Sequence, residues 1–411
     1  MKVDIVIRNI GELVTFKNGP LRRVDKDSAG IIHNAAVAVK DGKVVWVGSD
    51  SDADKYEASL IINAEGRIAT PGLIDTHTHL IFAGDRSHEL WMKLEGKTYS
   101  EILEAGGGIY YTVEETRRAP LENLVINALR VLDKMLYYGT TVVEVKTGYG
   151  LLYEHEAKLI DAILELKKRA KQTIIGTLLA HVIPREYTEK RNEYVDCFTR
   201  RLVPLAAEKK LEFVDVFCDK GVFTVEETRK IISEGKRNRL KIRLHSDELA
   251  NIGCSKLALE YEIHSIDHLE YLPEPIIPGL ATTRTVATLL PTSMLSVFAD
   301  KKPPVKQLRR YGVYLGVATD YNPNNMNPIL QTTMDLAVYL LGLTPLEALA
   351  ATTVNAAWSL DIYPSHGTIR EGAYADILIW DYERLSQLSY IWGYDRLLTV
   401  IAKGNIIRNK L

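Results

Sequence analysis

The 411-residue sequence predicts an α/β fold: a TIM-like (β/α)8 barrel with a small composite β-sandwich domain formed by both termini. Three observations predict it. Eight short, β-rich apolar runs alternate with amphipathic helical stretches through the middle of the chain. Residues 1–66 carry strand patterns, and residues 364–411 carry the same signature. The chain is too long for one simple core, although an α/β barrel can absorb about 250 residues by itself.

At the N-terminus, Val3, Ile5 and Ile7 alternate with polar neighbours, the period of a half-buried strand. Ala36–Lys40 and Val44–Gly48 flank Asp41-Gly42, a hairpin turn signal. The barrel runs are Gly72–Asp75, Thr140–Val145, Ile174–Ala180, Phe213–Phe217, Lys241–Leu244, His264–Asp267, Thr285–Leu290 and Val313–Thr319. They are nearly all apolar, as in a parallel sheet buried on both faces. Helical patterns such as Glu154–Lys171 and Val225–Lys236 fall between them. Eight strands suit a closed barrel, but periodicity alone leaves a doubly wound sheet open. Towards the C-terminus, Asp376–Asp381 and Leu398–Ala402 read as strands, followed by a Lys403-Gly404-Asn405 turn and Ile406-Ile407. Neither flank is long enough for a sandwich alone, so the termini are expected to meet. The expected division is 1–66 and 364–411 for the composite domain and 67–363 for the barrel.

Composition narrows the function classes. Net charge is −2, with no basic excess to neutralise phosphates, so a nucleic-acid partner is not expected. No apolar stretch of about 18 residues suggests a membrane span, and Met1–Asn9 alternates rather than forming a signal-peptide core. Cys197, Cys218 and Cys254 are too few for a disulfide framework and lack the paired spacing of a structural zinc site. Their sparse, odd count fits a reducing cytoplasm.

The histidines carry the chemistry. His77 and His79, in Asp75-Thr-His-Thr-His79, follow the first barrel run. At i and i+2 they project to one face at the C-terminal end of that strand, where barrel active sites lie. His245 ends the fifth run, His268 follows the sixth and Asp320 ends the eighth. Imidazoles with one carboxylate suit zinc or iron rather than calcium or magnesium. A metal with an open position lowers the pKa of water, so the chemistry is hydrolytic. His33, His88, His155, His264 and His366 lack such context and read as surface or structural. Tyr149, flanked by Gly148 and Gly150, marks a shaped loop.

The His-Thr-His motif, the later His, His and Asp and the flanking β segments resemble the metal-dependent amidohydrolase superfamily. More narrowly, the chain resembles the imidazolonepropionases over essentially its whole length. The stretches that carry the likeness are Pro71–Arg86, Thr98–Ile109, Glu144–Gly150, Ala180–Tyr187, Asp215–Phe223 and Ala318–Pro323. This resemblance implies ring opening of 4-imidazolone-5-propanoate to N-formimidoyl-L-glutamate in histidine degradation. It implies one Zn²⁺ or Fe³⁺ per chain on His77, His79, His245 and Asp320. It makes Glu248, His268 and Asp320 catalytic, with Glu248 helping to activate water. Arg86, Tyr149, His181, Glu248, Asn322, Asn324 and Asn325 become substrate contacts, Arg86 for the propanoate. It also implies a homodimer. Family members usually continue after Asp320–Pro323 with glycine and a small hydroxyl residue; here Asn324, Asn325 and Met326 follow. Asn tolerates positive φ, so the loop shape can survive.

Two enzyme alternatives and one non-enzyme alternative stay open. A cytosine- or guanine-type aminohydrolase shares the His, His, His and Asp set but acts on neutral bases and needs no Arg86. A two-metal site bridged by a modified lysine would use Lys220, or Lys146, at a strand end. A non-catalytic scaffold would be expected to have lost ligands, and none is missing.

Overall fold

The computed structural model describes residues 1–97, 101–102 and 105–411. Two sheets organise the chain. The first comprises β1 (Lys2–Val14), β2 (Ile31–Lys40), β3 (Lys43–Ser49), β4 (Glu57–Asn63) and β5 (Ile68–Pro71). The barrel strands follow: β6 (Leu73–Asp75), β7 (Thr140–Lys146), β8 (Thr173–Ala180), β9 (Phe213–Cys218), β10 (Lys241–Ser246), β11 (Ser265–His268), β12 (Val286–Leu289) and β13 (Tyr314–Val317). The chain then returns to the first sheet with β14 (Ile377–Trp380), β15 (Leu397–Ala402) and β16 (Asn405–Asn409).

The terminal sheet has the order β16-β15-β14-β5-β1-β2-β3, with β4 parallel to β1. The β2–β3 hairpin turns at Asp41 and Gly42, whose φ values of +50° and +74° are those of a tight two-residue turn. Val37 and Val39 from β2 share one apolar cluster with Ile377 and Ile379 from β14 and Ile401 from β15. The composite domain therefore builds its core on one continuous sheet drawn from both ends of the chain. β5 pairs with β14 and β1, and β6 begins two residues later in the barrel. A Cβ at Gly72, between them, would lie 2.3 Å from Thr141 Oγ1, so only glycine passes from one sheet to the other.

Each of the eight apolar runs becomes one strand of a parallel sheet in sequence order, β6 to β13. Every residue of β7 is buried, the double-sided burial that makes these runs apolar throughout. The helix Tyr153–Arg169 buries Glu156, Leu159, Ile160, Ile163 and Leu166, one stripe at helical spacing. The helix Val225–Arg237 starts at a capping box: Thr224 Oγ1 accepts from Glu227 N–H, and the Glu227 carboxylate accepts from Thr224 N–H. The edge strands β6 and β13 meet just beyond their C-terminal ends. Thr78 pairs with Tyr321, Asp320 N–H donates to His77 O at 3.0 Å and His79 N–H to Tyr321 O at 2.8 Å. The closing seam of the barrel thus runs through the histidine pair and the aspartate. Among the described residues no helix is long and apolar enough to cross a membrane.

Candidate metal centre and active site

His77, His79 and His245 each direct a ring nitrogen to one point, with these atoms within 4.8 Å of one another. His79 Nε2 is 3.4 Å from His245 Nε2. Asp320 Oδ1 joins them, 3.4 Å from His79 Nε2 and 3.6 Å from His77 Nε2. All four side chains are buried. His77 Nε2 and Asp320 Oδ1 have no hydrogen-bond partner, an arrangement that costs free energy in protein alone. A cation at the shared point satisfies both, so the residues present fit a metal ion. Burial first, then neighbouring imidazoles and Lys146, holds His77 and His79 well below the ordinary imidazole range. They are therefore neutral at pH 7, the form that offers a lone pair to a cation.

The remaining ring nitrogen of two of these histidines is fixed from below. His77 Nδ1 donates to Asp267 Oδ2 at 2.7 Å, and Asp267 Oδ2 also accepts from Arg243 Nη2 at 3.1 Å. His245 Nδ1 lies 3.1 Å from Asp215 Oδ2, which accepts from Lys146 Nζ at 2.7 Å; Lys146 also donates to Glu144 at 2.9 Å. Each imidazole thus rests on a carboxylate held by a buried cation, which selects the tautomer with Nε2 open to a metal. Burial works against the Lys146 ammonium, but Asp215 and Glu144 outweigh it and hold its pKa above the usual lysine value. Counting Asp75 and Asp320, five carboxylates face two cations in this floor, a deficit of positive charge that a metal ion reduces. Sequence reading missed this layer, although Glu144 and Lys146, and Arg243 and His245, stand at i and i+2 and so share the inward face of their strands.

His268 ends β11 beside the cluster, its ring edge-on to His77 at 5.6 Å between centroids. Its Nε2 is 3.6 Å from Glu248 Oε2. Burial, then Glu270, Asp320 and Asp219, pushes the Glu248 carboxyl well above its usual range; a cation among the histidines acts in the opposite direction. Glu270, also unforeseen, is buried with Oε2 unpartnered, and burial raises it to about 8. Asp247, His268, Leu269 and Asp320 all have φ between +50° and +81°. Such strain, about 1–3 kcal/mol for each residue, gathers at functional sites.

The loop carrying Glu248 is clamped. Asp219 accepts backbone N–H bonds from Glu248, Leu249 and Ala250 at 2.8–3.0 Å. Cys218 and Cys254 form a disulfide beside it, with Cα atoms 5.9 Å apart. The sequence reading, which found three cysteines too few for a disulfide framework, did not foresee this single bond. The two cysteines are 36 residues apart in sequence, but β9 and β10 pair side by side and the loop folds back over them. Lys220 is exposed and Lys146 is engaged by two carboxylates, so neither stands as a bridge between metals.

Tyr149 and His181 line the wall beside His79. The His181 ring stacks on His79 at 5.1 Å, and Tyr149 lies 5.2 Å from His181. His181 Nδ1 donates to Gly148 O at 3.1 Å, and burial lowers its pKa to about 3. Gly148 has φ +111°, and a Cβ at Gly150 would meet the His155 backbone at 2.5 Å, so both glycines are required. The buried Glu156 accepts from the N–H groups of Gly148, Gly150 and Leu151 and holds this loop.

Arg86 opens the helix α1 (Ser87–Leu94). Its guanidinium makes two bonds to the buried Glu89, at 2.8 and 2.7 Å, and Glu89 also accepts from Gly108 N–H. Burial would raise the Glu89 carboxyl, but Arg86 and Gly108 outweigh it and hold it low. The motif Thr98–Ile109 lies only partly within the described residues. After Asp320, the Asn322 carbonyl oxygen Oδ1 accepts from the N–H groups of Asn324 and Asn325, while Asn325 Nδ2 donates to Thr319 O and Asp320 O. These two side chains build the turn, and its left-handed residue is Asp320 rather than Asn324 or Asn325. Asn324 is half-buried, its Oδ1 accepting from Lys93 Nζ and its Nδ2 donating to Ser296 Oγ.

The model of the amidohydrolase family matches residues 68–407. The chain is 37% identical to the imidazolonepropionase of Alkaliphilus oremlandii over 418 residues, covering all of this chain and 99% of that one. It is 40% identical to the imidazolonepropionase of Pyrobaculum arsenaticum, covering 98% of this chain and 100% of that one. The chain belongs to the imidazolonepropionase family of amidohydrolases. Among solved structures, the zinc complex of atrazine chlorohydrolase TrzN from Arthrobacter aurescens shares the fold with a TM-score of 0.69 at 18% identity, over 99% of this chain and 95% of that one. An adenosine deaminase from Xanthomonas campestris with bound zinc has a TM-score of 0.67 at 19% identity, over 100% and 94%. Family membership makes the histidine cluster a metal site and the chain a hydrolase of carbon–nitrogen bonds.

Proposed function

We propose that the chain hydrolyses the ring of 4-imidazolone-5-propanoate to N-formimidoyl-L-glutamate. The observation that carries this reading is identity of 37–40% to imidazolonepropionases over nearly the whole chain. The buried cluster with unpartnered nitrogen and oxygen atoms supports it. One Zn²⁺ or Fe³⁺ on His77, His79, His245 and Asp320 would supply a water of lowered pKa and polarise the ring.

In this reading the protein groups bind, orient and move protons. Glu248 accepts the proton of the attacking water, and His268, 3.6 Å away, orients that water or a ring nitrogen. Asp320 shares in proton transfer. Tyr149 and His181 border the ring, and Arg86 binds the propanoate by a charge-assisted bond. Asn322, Asn324 and Asn325 shape the turn over the substrate. Resemblance to the family extends to a cytoplasmic homodimer, which light scattering of the purified protein tests.

The discriminating experiment compares kcat/KM for 4-imidazolone-5-propanoate, cytosine and guanine on metal-loaded protein. The imidazolone is expected to lead by orders of magnitude. A lead for either neutral base would replace this reading with that of an aminohydrolase.

A further inference from the structure

Arg86, Glu89 and Lys93 stand at i, i+3 and i+7 and share one face of α1. The Arg86–Glu89 pair is neutral as a unit, since its two short bonds set one cation against one buried carboxylate. A substrate carboxylate arriving there meets a guanidinium whose charge is already offset. Lys93 supplies what that pair lacks. Its Nζ donates to Asn324 Oδ1 at 2.6 Å and to Ser296 O at 3.4 Å, both uncharged acceptors. The half-buried ammonium thus has no carboxylate within ion-pair distance among the described residues, Glu89 acting on it only from further off, and it has one N–H left over. Asn324, in turn, follows Asp320 in the tight turn built by Asn322 and donates to Ser296 Oγ at 3.3 Å. The Lys93 ammonium is therefore held against the loop that leaves the metal centre, on the helix that carries Arg86. Burial, and then Arg86, lowers its pKa while Glu89 raises it, and the two cations stand two turns apart along one face of α1.

We propose that Lys93 is a second cation of the carboxylate subsite and takes the tail of a monocarboxylate substrate jointly with Arg86. The side chain of Asn324 aims that ammonium. This inference rests on the proposed reading of the site as one for an imidazolone bearing a propanoate.

Calorimetry on the metal-loaded full chain tests it with two probes, 3-(imidazol-4-yl)propanoate and its neutral amide. The wild-type protein is expected to favour the acid by tenfold or more. Lys93→Met is expected to weaken the acid by about tenfold to a hundredfold, the range of one charge-assisted hydrogen bond, and leave the amide unchanged. Lys93→Arg is expected to keep most of the preference. An unchanged preference in Lys93→Met, or equal losses for acid and amide, would overturn the inference; equal losses would make Lys93 only a prop for the turn. If the wild-type protein itself binds acid and amide alike, the carboxylate reading of the site fails, and this inference fails with it. A Lys93→Met protein that does not fold leaves the decision to Lys93→Arg: loss of the acid preference there, with normal amide binding, contradicts a shared-cation role.

Discussion

Asp267→Asn isolates the floor beneath the metal centre. The Asp267 carboxylate is fully buried, and Oδ2 accepts from both His77 Nδ1 and Arg243 Nη2. Asparagine keeps the volume but offers one neutral oxygen in place of a charged pair. Arg243, also fully buried, then keeps the Thr76 carbonyl at 2.9 Å and shares that neutral oxygen with His77, so its charge has lost its counter-ion. Removing one partner of a buried pair costs about 3–5 kcal/mol. Against a total stability of about 5–15 kcal/mol, the variant still folds but unfolds at distinctly lower urea. His77 loses the charged acceptor that fixes its tautomer, a neutral amide oxygen being weaker and shared with Arg243, so metal affinity should fall about 10–100-fold. Urea unfolding of the metal-free protein reads the first effect, and competition with a chromophoric chelator reads the second. Asp267→Asn with Arg243→Met should recover part of the stability, because no lone charge stays buried, but none of the metal affinity. If the single variant unfolds with the wild type and competes within threefold of it, Asp267 does not couple Arg243 to His77.

Three further outcomes are expected. Glu248→Gln keeps the side-chain size but cannot accept a proton; it should retain metal and lose about 10²–10⁴ in kcat, read by metal analysis and steady-state kinetics. Arg86→Ala should raise KM for the imidazolone by about one to two orders of magnitude, with Arg86→Lys recovering only part because an ammonium lacks the planar fork; unchanged KM would move the carboxylate elsewhere. His264 is buried just before β11 and burial lowers its pKa to about 3, so between about pH 3 and 6.5 the unfolded chain binds a proton that the folded chain refuses. Stability should therefore drop as pH falls through this window, by up to about 1.4 kcal/mol per pH unit from this group, and denaturation of His264→Phe at pH 7 and pH 5 should show a smaller drop than the wild type.

The barrel was legible because its strands are buried on both faces and so read as unbroken apolar runs. The metal cluster was legible because His77, His79, His245 and Asp320 sit at strand ends, which a barrel gathers at one mouth. Its supports were not. Asp215, Arg243 and Asp267 lie inside apolar strands, where a charge has meaning only once the facing strand is known. Glu89 and Glu156 look like ordinary helical surface carboxylates, yet they bind Arg86 and the Gly148–Leu151 backbone. The Cys218–Cys254 bond likewise depends on β9 and β10 being neighbours rather than on any cysteine spacing. The terminal sheet was legible as strands, but its union into one layer depends on β5 bridging β1 and β14.

In the proposed function, the buried histidine and aspartate cluster holds the metal with which this chain opens an imidazolone ring. The most direct test follows the ultraviolet absorbance of 4-imidazolone-5-propanoate with the protein as purified, after chelation and after metal is restored. The expected result is rapid loss of absorbance with N-formimidoyl-L-glutamate as product, abolished by chelation and recovered with about one equivalent of metal. His77→Ala should stay inactive throughout. Ring opening that survives complete metal removal, or a wild-type protein that binds metal at this cluster and leaves the imidazolone intact, would contradict it.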